Sequence, residues 1–383
     1  MLDDARASIA RGLKGRPIRG QVFYGLRGVG KTVLLREVSD LAAKAGAIVS
    51  DLETPENKAL SVILIANVRK LVLTLSKTQK AKEMVVAAAG ALQSFASVFK
   101  IKVAGVGIEV KTPEKGVADS GDLDEDIADL LIKVAEAAQA QGTAVILAID
   151  ELQYLEEAEL GALITAIHRI NQKSLPLGLF GAGLPQLLGK AGNAKSYSER
   201  LFQFEEVGPL SEKEANKAIR DPLSAKGVKI EQDALKLIFE KSQGYPYFLQ
   251  EWGFRTWNTA KASPITKADV VAAEESVIAS LDKSFFRVRF DRLSKGEQDY
   301  LRAMAELGAG PHKSGDVARV LGKTVNQVGP VRSQVIAKGM AYGGQYGIVH
   351  FSVPLFHEFM RRAMPEFKDK SKPPVKRPPR PRR

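Results

Sequence analysis

The feature that most constrains the fold is a glycine-rich segment between a short apolar run and an amphipathic one. Gly25-Leu-Arg-Gly-Val-Gly-Lys31-Thr32 matches the pattern GxxxxGK[ST] at every constrained position. It follows Gln21–Tyr24 and precedes Val33–Val38, so a strand, a tight turn and a helix are predicted. Glycines in such a turn let backbone N–H groups converge on phosphate oxygens, and the helix dipole adds to the attraction. The segment therefore predicts a nucleoside triphosphate site.

The residues of this loop have distinct expected roles. Lys31 can reach the β- and γ-phosphates, and the Thr32 hydroxyl can bind Mg²⁺. The alternative is a glycine turn that only joins a strand to a helix. The residues expected to bind ATP are Gly25, Leu26, Arg27, Gly28, Val29, Gly30, Lys31, Thr32 and Val33.

A pair of carboxylates lies about 120 residues downstream, where the apolar run 144–149 ends in Asp150 and Glu151. Such a run is typical of a strand buried on both faces of a parallel sheet. Asp150 can accept a hydrogen bond from Thr32 or from Mg²⁺-bound water, so Thr32 and Asp150 form the predicted metal site. Glu151 can polarise the attacking water, which together with Lys31 predicts ATP hydrolysis. The alternative is an acidic pair that caps a helix or lies in a solvated loop.

A further cation is expected because phosphoryl transfer places negative charge on the equatorial oxygens. Arg200 is the candidate, acting across a subunit boundary as a third catalytic residue. The alternative is a surface arginine paired with Glu199 or Glu205.

Strands alternate with helices over residues 1–207, which predicts an α/β core with a parallel sheet and the nucleotide at the carboxyl ends of its strands. Residues from about 56 to 140 are expected to be an insertion in this core. The insertion begins with a helical stretch at 59–90 and continues with a strand or hairpin at 99–110.

The pattern changes after residue 207. Short amphipathic helices predict an α-helical domain over 208–285, starting at a capping box of Ser211 and Glu214. Residues 286–363 have the order helix, helix, helix, hairpin, which is that of a winged helix-turn-helix.

The excess of positive over negative charge is concentrated at the C-terminus. The net charge is +12, and the stretch from Lys368 to Arg383 holds eight basic residues, one acidic residue and five prolines. Such a stretch builds neither a helix nor a core, so residues 364–383 are expected to be a disordered cationic tail. The tail either binds double-stranded DNA by neutralising phosphates or serves as a solubilising end.

Composition excludes several kinds of site. The chain has no cysteine, which excludes disulfides, thiolate zinc sites and cysteine nucleophiles. Its N-terminus lacks the layout of a secretory signal, and no apolar run has the length of a membrane span. A cytoplasmic protein without a membrane segment is expected.

Five motifs together resemble one family, the AAA+ ATPases of the origin-recognition and archaeal-initiator type, whose bacterial relatives are often called archaeal-type ATPases. The motifs are Tyr24–Leu35, Ile149–Gln153, Gly181–Pro185, Glu199–Phe202 and Gly244–Leu249. The last is also similar to the GxP motif of STAND signalling ATPases. The resemblance implies an AAA+ core, an α-helical lid and a C-terminal winged helix that grips DNA in initiators.

Under this resemblance Arg200 corresponds to a trans-acting arginine finger, but two other positions depart from the family pattern. Sensor 1 is usually a polar side chain just after a core strand, whereas Gly181–Pro185 offers none and Gln186 is the nearest. Sensor 2 is usually an arginine of the lid, and Arg255 lies two helical turns beyond the Gly244 motif. These departures predict slow hydrolysis, with the bound nucleotide setting a conformational state.

The third helix of the predicted winged helix is compatible with DNA without being rich in charge. Pro330 is expected to strain its start, so that the helix begins firmly only near Gly329. The predicted wing carries Tyr342, Gln345 and Tyr346 without a cation, and a winged helix used for protein contacts is the alternative. The helix residues that could reach bases or phosphates are Asn326, Gln327, Arg332, Gln334 and Lys338.

Two functional hypotheses follow. The first is an AAA+ ATPase whose nucleotide state controls self-association and DNA binding. The second is a STAND-like switch whose C-terminal region binds protein. DNA-stimulated hydrolysis would distinguish them.

Overall fold

The computed structural model describes residues 1–56, 58–76, 82–101, 115–343 and 347–371. The chain divides into two compact units. The first unit comprises Met1–Gly25 and Gly30–Val207, and the second comprises Leu26–Val29 and the chain from Gly208 onward. None of the helices in the described ranges is long and apolar enough to cross a membrane.

The first unit is built on a five-stranded parallel sheet, which confirms the α/β prediction. Its strands are β1 (Gly20–Tyr24), β2 (Ile48–Glu53), β3 (Val145–Asp150), β4 (Leu177–Gly183) and β5 (Phe202–Glu206). The order across the sheet is β2-β3-β4-β1-β5, with every neighbouring pair parallel. Because β4 lies between β1 and β3, the carboxyl ends of these three strands share one edge of the sheet.

Eight helices of the described residues belong to this unit. They are α1 (Leu2–Gly12), α2 (Lys31–Lys44), α3 (Leu60–Leu75), α4 (Lys82–Val98), α5 (Leu123–Gln141), α6 (Glu157–Gln172), α7 (Leu187–Ala194) and α8 (Ser198–Leu201). The central strands are buried on both faces because successive side chains point to opposite sides of the sheet. On β3, Leu147 packs into the core with α3 to α6, whereas Ile146 packs into the core with α1 and α2.

Part of the predicted insertion lies outside the described residues. The stretch 59–90 is helical where described, in α3 and the first half of α4. The strand or hairpin expected at 99–110 falls outside the described residues from 102 onward.

The second unit begins with helices and ends with helices and a small sheet. Its helices are α9 (Glu212–Ser224), α10 (Gln232–Ser242), α11 (Pro246–Thr259), α12 (Lys267–Leu281), α13 (Arg287–Phe290), α14 (Lys295–Glu306), α15 (Ser314–Leu321), α16 (Val325–Ala337) and α17 (Phe356–Ala363). A π-helical turn at Asp282–Phe286 joins α12 to α13. The strands β6 (His312–Lys313), β7 (Ala341–Gly343) and β8 (Ile348–Phe351) form an antiparallel sheet in the order β6-β8-β7.

The expected break in the third helix of this region is wrong. Helix α16 begins at Val325 and runs through Pro330. The Thr324 side chain caps it, and Gln327 completes the capping box. Pro330 lies less than two turns from the start, where a good cap compensates for one missing backbone hydrogen bond. The predicted box of Ser211 and Glu214 likewise starts α9.

Candidate functional site

The phosphate loop leaves β1 and enters α2 through glycines whose backbone a side chain would strain. Gly28 and Gly30 have φ angles of 82° and 95°, in the left-handed region that favours glycine. Gly30 is also the N-cap of α2 and provides no side-chain cap for its first amide hydrogens. These donors at a helix N-terminus are suited to phosphate oxygens, as the motif predicts.

Thr32 and Asp150 meet at the end of the sheet. The Thr32 hydroxyl, in the first turn of α2, donates to Asp150 Oδ2 at 2.6 Å. The other carboxylate oxygen, Oδ1, accepts the Glu151 amide hydrogen at 2.8 Å. The two residues of the predicted metal site are therefore in direct contact. Lys31, the first residue of α2, is only 9% exposed.

The backbone of Glu151 is held in an unusual conformation. Its φ angle is 57°, in the left-handed region, which costs a non-glycine residue energy unless its surroundings hold it there. Buried Thr54, directly after β2, provides such a hold. Its hydroxyl lies 2.9 Å from the Asp150 carbonyl oxygen and 2.6 Å from that of Glu151, and its amide donates to Asp150 O at 3.2 Å.

Gln153 is a site residue that sequence reasoning missed. It lies in a 3₁₀ turn after Glu151 and is only 4% exposed. Its amide nitrogen Nε2 donates to Glu151 Oε2, and its Oε1 accepts the Leu184 amide hydrogen at 3.0 Å. Lys190 Nζ donates to the Gln153 carbonyl at 3.2 Å. The motif Ile149–Gln153 contained this residue, but no pattern indicated that its side chain turns back toward Glu151.

The end of β4 is shaped to receive the Gln153 side chain. A Cβ atom added to Gly183 would lie 2.9 Å from Gln153 Oε1 and 2.7 Å from Leu187 Cδ2. The Gly183 carbonyl accepts the Gly25 amide hydrogen of the phosphate loop at 3.2 Å. Gln186, the polar residue nearest the sensor 1 position, is half-buried and makes no hydrogen bond through Oε1 within the described residues.

The turn Leu26–Val29 groups with the second unit, and two of its backbone groups are bonded there. The Arg27 amide donates to the Ser352 carbonyl at 3.1 Å, and the Gly28 carbonyl accepts the Tyr247 amide hydrogen at 3.2 Å. Arg27 Nε also donates to the Gly339 carbonyl at 3.3 Å. Val29 is buried, whereas Val33 on the first turn of α2 is exposed.

The two arginines considered for catalysis have different surroundings. Arg200 is exposed on the short helix α8, and its guanidinium makes no ion pair with any residue that the structure describes, Glu199 and Glu205 included. Arg255 on α11 is engaged, because Nε donates to Glu251 at 2.7 Å and Nη2 to Ser280 Oγ at 2.9 Å.

The residues that could reach DNA from α16 fall into two groups. Asn326, Gln327 and Gln334 are exposed. Arg332 is half-buried and donates to the Ile348 carbonyl at 3.1 Å, whereas Lys338 donates to Glu297 Oε2 at 2.8 Å. Tyr342 stacks on His350, and the expected wing residues Gln345 and Tyr346 lie outside the described residues.

The residues at the sheet edge fit a Mg²⁺-bound nucleotide. Mg²⁺ is usually bound through one or two carboxylates together with phosphate oxygens and water, so a dedicated protein cage is not required. Among the described residues, no group of three or more acidic or imidazole side chains could hold a metal on its own. Thr32 and Asp150 would hold Mg²⁺, which would neutralise phosphate charge there.

Comparison with known proteins agrees with this geometry. Residues 3–180 match the family described as AAA ATPase domain, and residues 283–360 match one described as a domain of unknown function. No curated protein matches the sequence.

Among solved structures, the chain is similar to the Walker-type ATPase of Pyrococcus abyssi, with 15% identity, a TM-score of 0.58 and coverage of 94% of this chain and 95% of that one. The RuvB Holliday junction branch migration motor of Thermotoga maritima follows with 16% identity, a TM-score of 0.45 and coverage of 91% and 89%. The Orc1 protein of Aeropyrum pernix, solved in complex with DNA, has 16% identity, a TM-score of 0.44 and coverage of 94% and 91%.

The similarity to the Pyrococcus ATPase concerns the fold alone, whereas the family match covers the phosphate loop and the acidic pair. AAA ATPase domains bind nucleotide, typically with Mg²⁺. Residues 3–180 are therefore an AAA ATPase domain, the class that the motifs of this chain resemble.

Proposed function

We propose that this protein binds Mg²⁺-ATP and hydrolyses it slowly, and that the nucleotide state controls its self-association and its binding to DNA. The contact of Thr32 Oγ1 with Asp150 Oδ2 carries the proposal, because it joins the phosphate loop to the acidic end of β3. Lys31 binds the β- and γ-phosphates, Thr32 and Asp150 hold the metal, and Glu151 polarises the attacking water.

The low rate is supported by the lack of a polar side chain at the end of β4. Gly181–Leu184 offers none, so the polar group that is usual at the sensor 1 position is absent there. Slow hydrolysis suits a switch, because each nucleotide state then persists long enough to be read by a partner.

Self-association is proposed because Arg200 is exposed and has no ion-pair partner among the described residues. A cation of this kind lowers the barrier to phosphoryl transfer when it reaches the γ-phosphate of a neighbouring copy. Arg200 is then the third catalytic residue, supplied in trans.

DNA binding is proposed for the second unit. The order α14, β6, α15, α16, β7, β8 supports this proposal because it resembles the order of a winged helix-turn-helix, and we take α16 as the recognition helix. A cavity of about 140 Å³ in this unit is lined in part by Arg289, Arg292 and Lys338, a cationic set suited to phosphate. Because Arg332 and Lys338 make contacts inside the unit, we place the main DNA attraction on phosphates, with the basic residues of 364–383 as a further source.

The domain division proposed with this function is an AAA+ core at 1–207, an α-helical lid at 208–285, a winged helix at 286–363 and a tail at 364–383. The second candidate function is a STAND-like switch whose C-terminal region binds protein. It is favoured by the internal contacts of Arg332 on α16 and of Lys338 directly after α16, and by the motif Gly244–Leu249.

The test is ATPase activity with and without duplex DNA, read together with the molar mass by light scattering. The proposal predicts a low basal rate, a mass that depends on nucleotide, and DNA binding that weakens steeply with salt. A nucleotide-dependent mass with no DNA binding at low salt would favour the signalling switch. Removal of residues 372–383, which keeps the contacts of Met364, Phe367 and Lys370 with the second unit, should weaken DNA binding while leaving the basal rate unchanged.

A further inference from the structure

We propose that Gln153 is the positioning residue that couples the phosphate loop to Glu151. It thereby takes the place of the polar side chain that β4 lacks. The inference rests on the proposed ATPase function and goes beyond it, because it assigns a route between two parts of the site. Gln153 itself contacts neither the nucleotide nor the attacking water.

The route consists of three consecutive hydrogen bonds. Gly25 N–H, in the phosphate loop, donates to the Gly183 carbonyl at 3.2 Å. The next amide of the chain, Leu184 N–H, donates to Gln153 Oε1 at 3.0 Å. The other end of the same side-chain amide, Nε2, donates to Glu151 Oε2. A displacement of the loop by phosphate is therefore passed through the end of β4 to the Glu151 carboxylate.

Burial makes this connection stiff. Gln153 is 4% exposed. Its side chain fits beside Gly183 because that residue has no Cβ, which would collide with Gln153 Oε1. Lys190 Nζ holds the Gln153 backbone carbonyl from α7 at 3.2 Å. Breaking a hydrogen bond of this buried side chain would leave an unpaired polar group. The Gln153 side-chain amide therefore keeps both partners, and a displacement of Leu184 moves the Glu151 carboxylate.

The position of Glu151 shows why a relay of this kind is needed. The Glu151 amide hydrogen is bonded to Asp150, and Thr54 holds its carbonyl. With the backbone held on both sides, the carboxylate can change direction only through its side-chain torsions. Gln153 restrains the outer end of that side chain.

Two substitutions separate the bonds that Gln153 makes. Gln153→Glu keeps an acceptor for Leu184 N–H but replaces the donor facing Glu151 with a like charge. Gln153→Leu removes both bonds at similar volume. The matched control is Gln139→Leu, on the exposed surface of α5.

The first measurement is steady-state kinetics together with nucleotide affinity. Both Gln153 variants should lower kcat about 10- to 100-fold, as expected for a misplaced catalytic group, while the nucleotide Kd stays close to that of the wild type. The control should match the wild type in both values. A kcat unchanged in both variants, or a Kd that weakens in parallel with kcat, would overturn the proposal.

The second measurement is hydrogen exchange with ADP and with a non-hydrolysable ATP analogue, which does not depend on turnover. In the wild type, the analogue should change exchange in the loop peptide and in the peptide around 149–155. In Gln153→Leu the loop should still respond while the 149–155 response is lost. A retained 149–155 response would contradict the relay, whereas a wild-type loop that ignores both nucleotides would contradict the proposed function instead.

Discussion

Thr32 Oγ1 donates a hydrogen bond to Asp150 Oδ2 across 2.6 Å, although 118 positions separate the two residues in the chain. The contact exists because α2 begins beside the carboxyl end of β1, and β3 ends at the same edge of the sheet. A hydroxyl and a carboxylate at this distance are suited to share one Mg²⁺ coordination sphere.

Replacement of the Thr32 hydroxyl should separate nucleotide binding from metal use. Thr32→Val keeps the shape but removes the ligand, so we expect weaker Mg²⁺-dependent ATP binding and a loss of hydrolysis of about 10-fold or more. Thr32→Ser should restore most of the activity. Titration of Mg²⁺ at a fixed ATP concentration is the measurement, with Glu37→Gln on the exposed side of α2 as the control. Equal Mg²⁺ dependence in Thr32→Val and the wild type would contradict the metal role.

Loss of the Thr54 hydroxyl should destabilise the first unit and misplace Glu151. Thr54→Val removes one hydrogen bond from the half-buried Glu151 carbonyl, which keeps the Tyr154 amide hydrogen as a partner, so we expect a loss of about 0.5–1.5 kcal/mol in the free energy of unfolding. Thr54→Ser retains the donor and should cost less. Denaturant unfolding and kcat are measured on both variants, and identical behaviour of the two would show that the hydroxyl has no such role.

Gly183→Ala should destabilise the first unit, whereas Gly189→Ala should not. A Cβ at Gly183 would lie under 3 Å from both Leu187 and Gln153, and forcing it in costs about 1–3 kcal/mol. No atom lies within 4 Å of a Cβ added at Gly189, which is exposed on α7. Alanine there should raise the free energy of unfolding by up to about 1 kcal/mol. Unfolding of the two variants under the same conditions tests the contrast, and equal effects would count against the tight packing at β4.

The second unit should lose stability as the pH falls below neutrality. Burial lowers the pKa of His312 below its ordinary value of about 6.5, against the weaker opposing effects of a hydrogen bond with the Gly308 backbone and of the Asp316 charge. Near pH 6.5 the unfolded chain therefore binds a proton at this histidine, whereas the folded unit binds it only at lower pH. The free energy of unfolding is constant above that pH and declines below it.

Burial lowers the pKa of His350 and His357 in the same direction, so His312→Phe should reduce this pH dependence without abolishing it. Both tryptophans, Trp252 and Trp257, belong to the second unit, so tryptophan fluorescence in urea reports on it directly. A free energy of unfolding that stays constant between pH 7 and pH 5 would contradict the prediction.

Local patterns predicted the parts of this structure in which one feature dominates. The apolar run before Asp150 predicted a central strand, and the glycines before Lys31 predicted a turn. The capping box of Ser211 and Glu214 predicted the start of α9, because a side-chain oxygen three residues before Glu or Gln is a local signal.

Other parts depend on neighbours that are distant in the chain. Strand β5, at Phe202–Glu206, carries two glutamates and was missed because it lies at the edge of the sheet, where polar residues are tolerated. The predicted break at Pro330 was wrong because the Thr324 cap stabilises the first turn of α16. The role of Gln153 needs β4 beside it, since its partner Leu184 is 31 positions away.

The most direct test of the ATPase site is phosphate release from saturating Mg²⁺-ATP by the wild type and by Glu151→Gln. The wild type should release phosphate slowly but measurably. Glu151→Gln should bind nucleotide as tightly and release phosphate about 100-fold or more slowly, because it lacks the group that polarises water. Equal release by the two proteins would contradict the assignment of Glu151 and, with it, the ATPase site described for this chain.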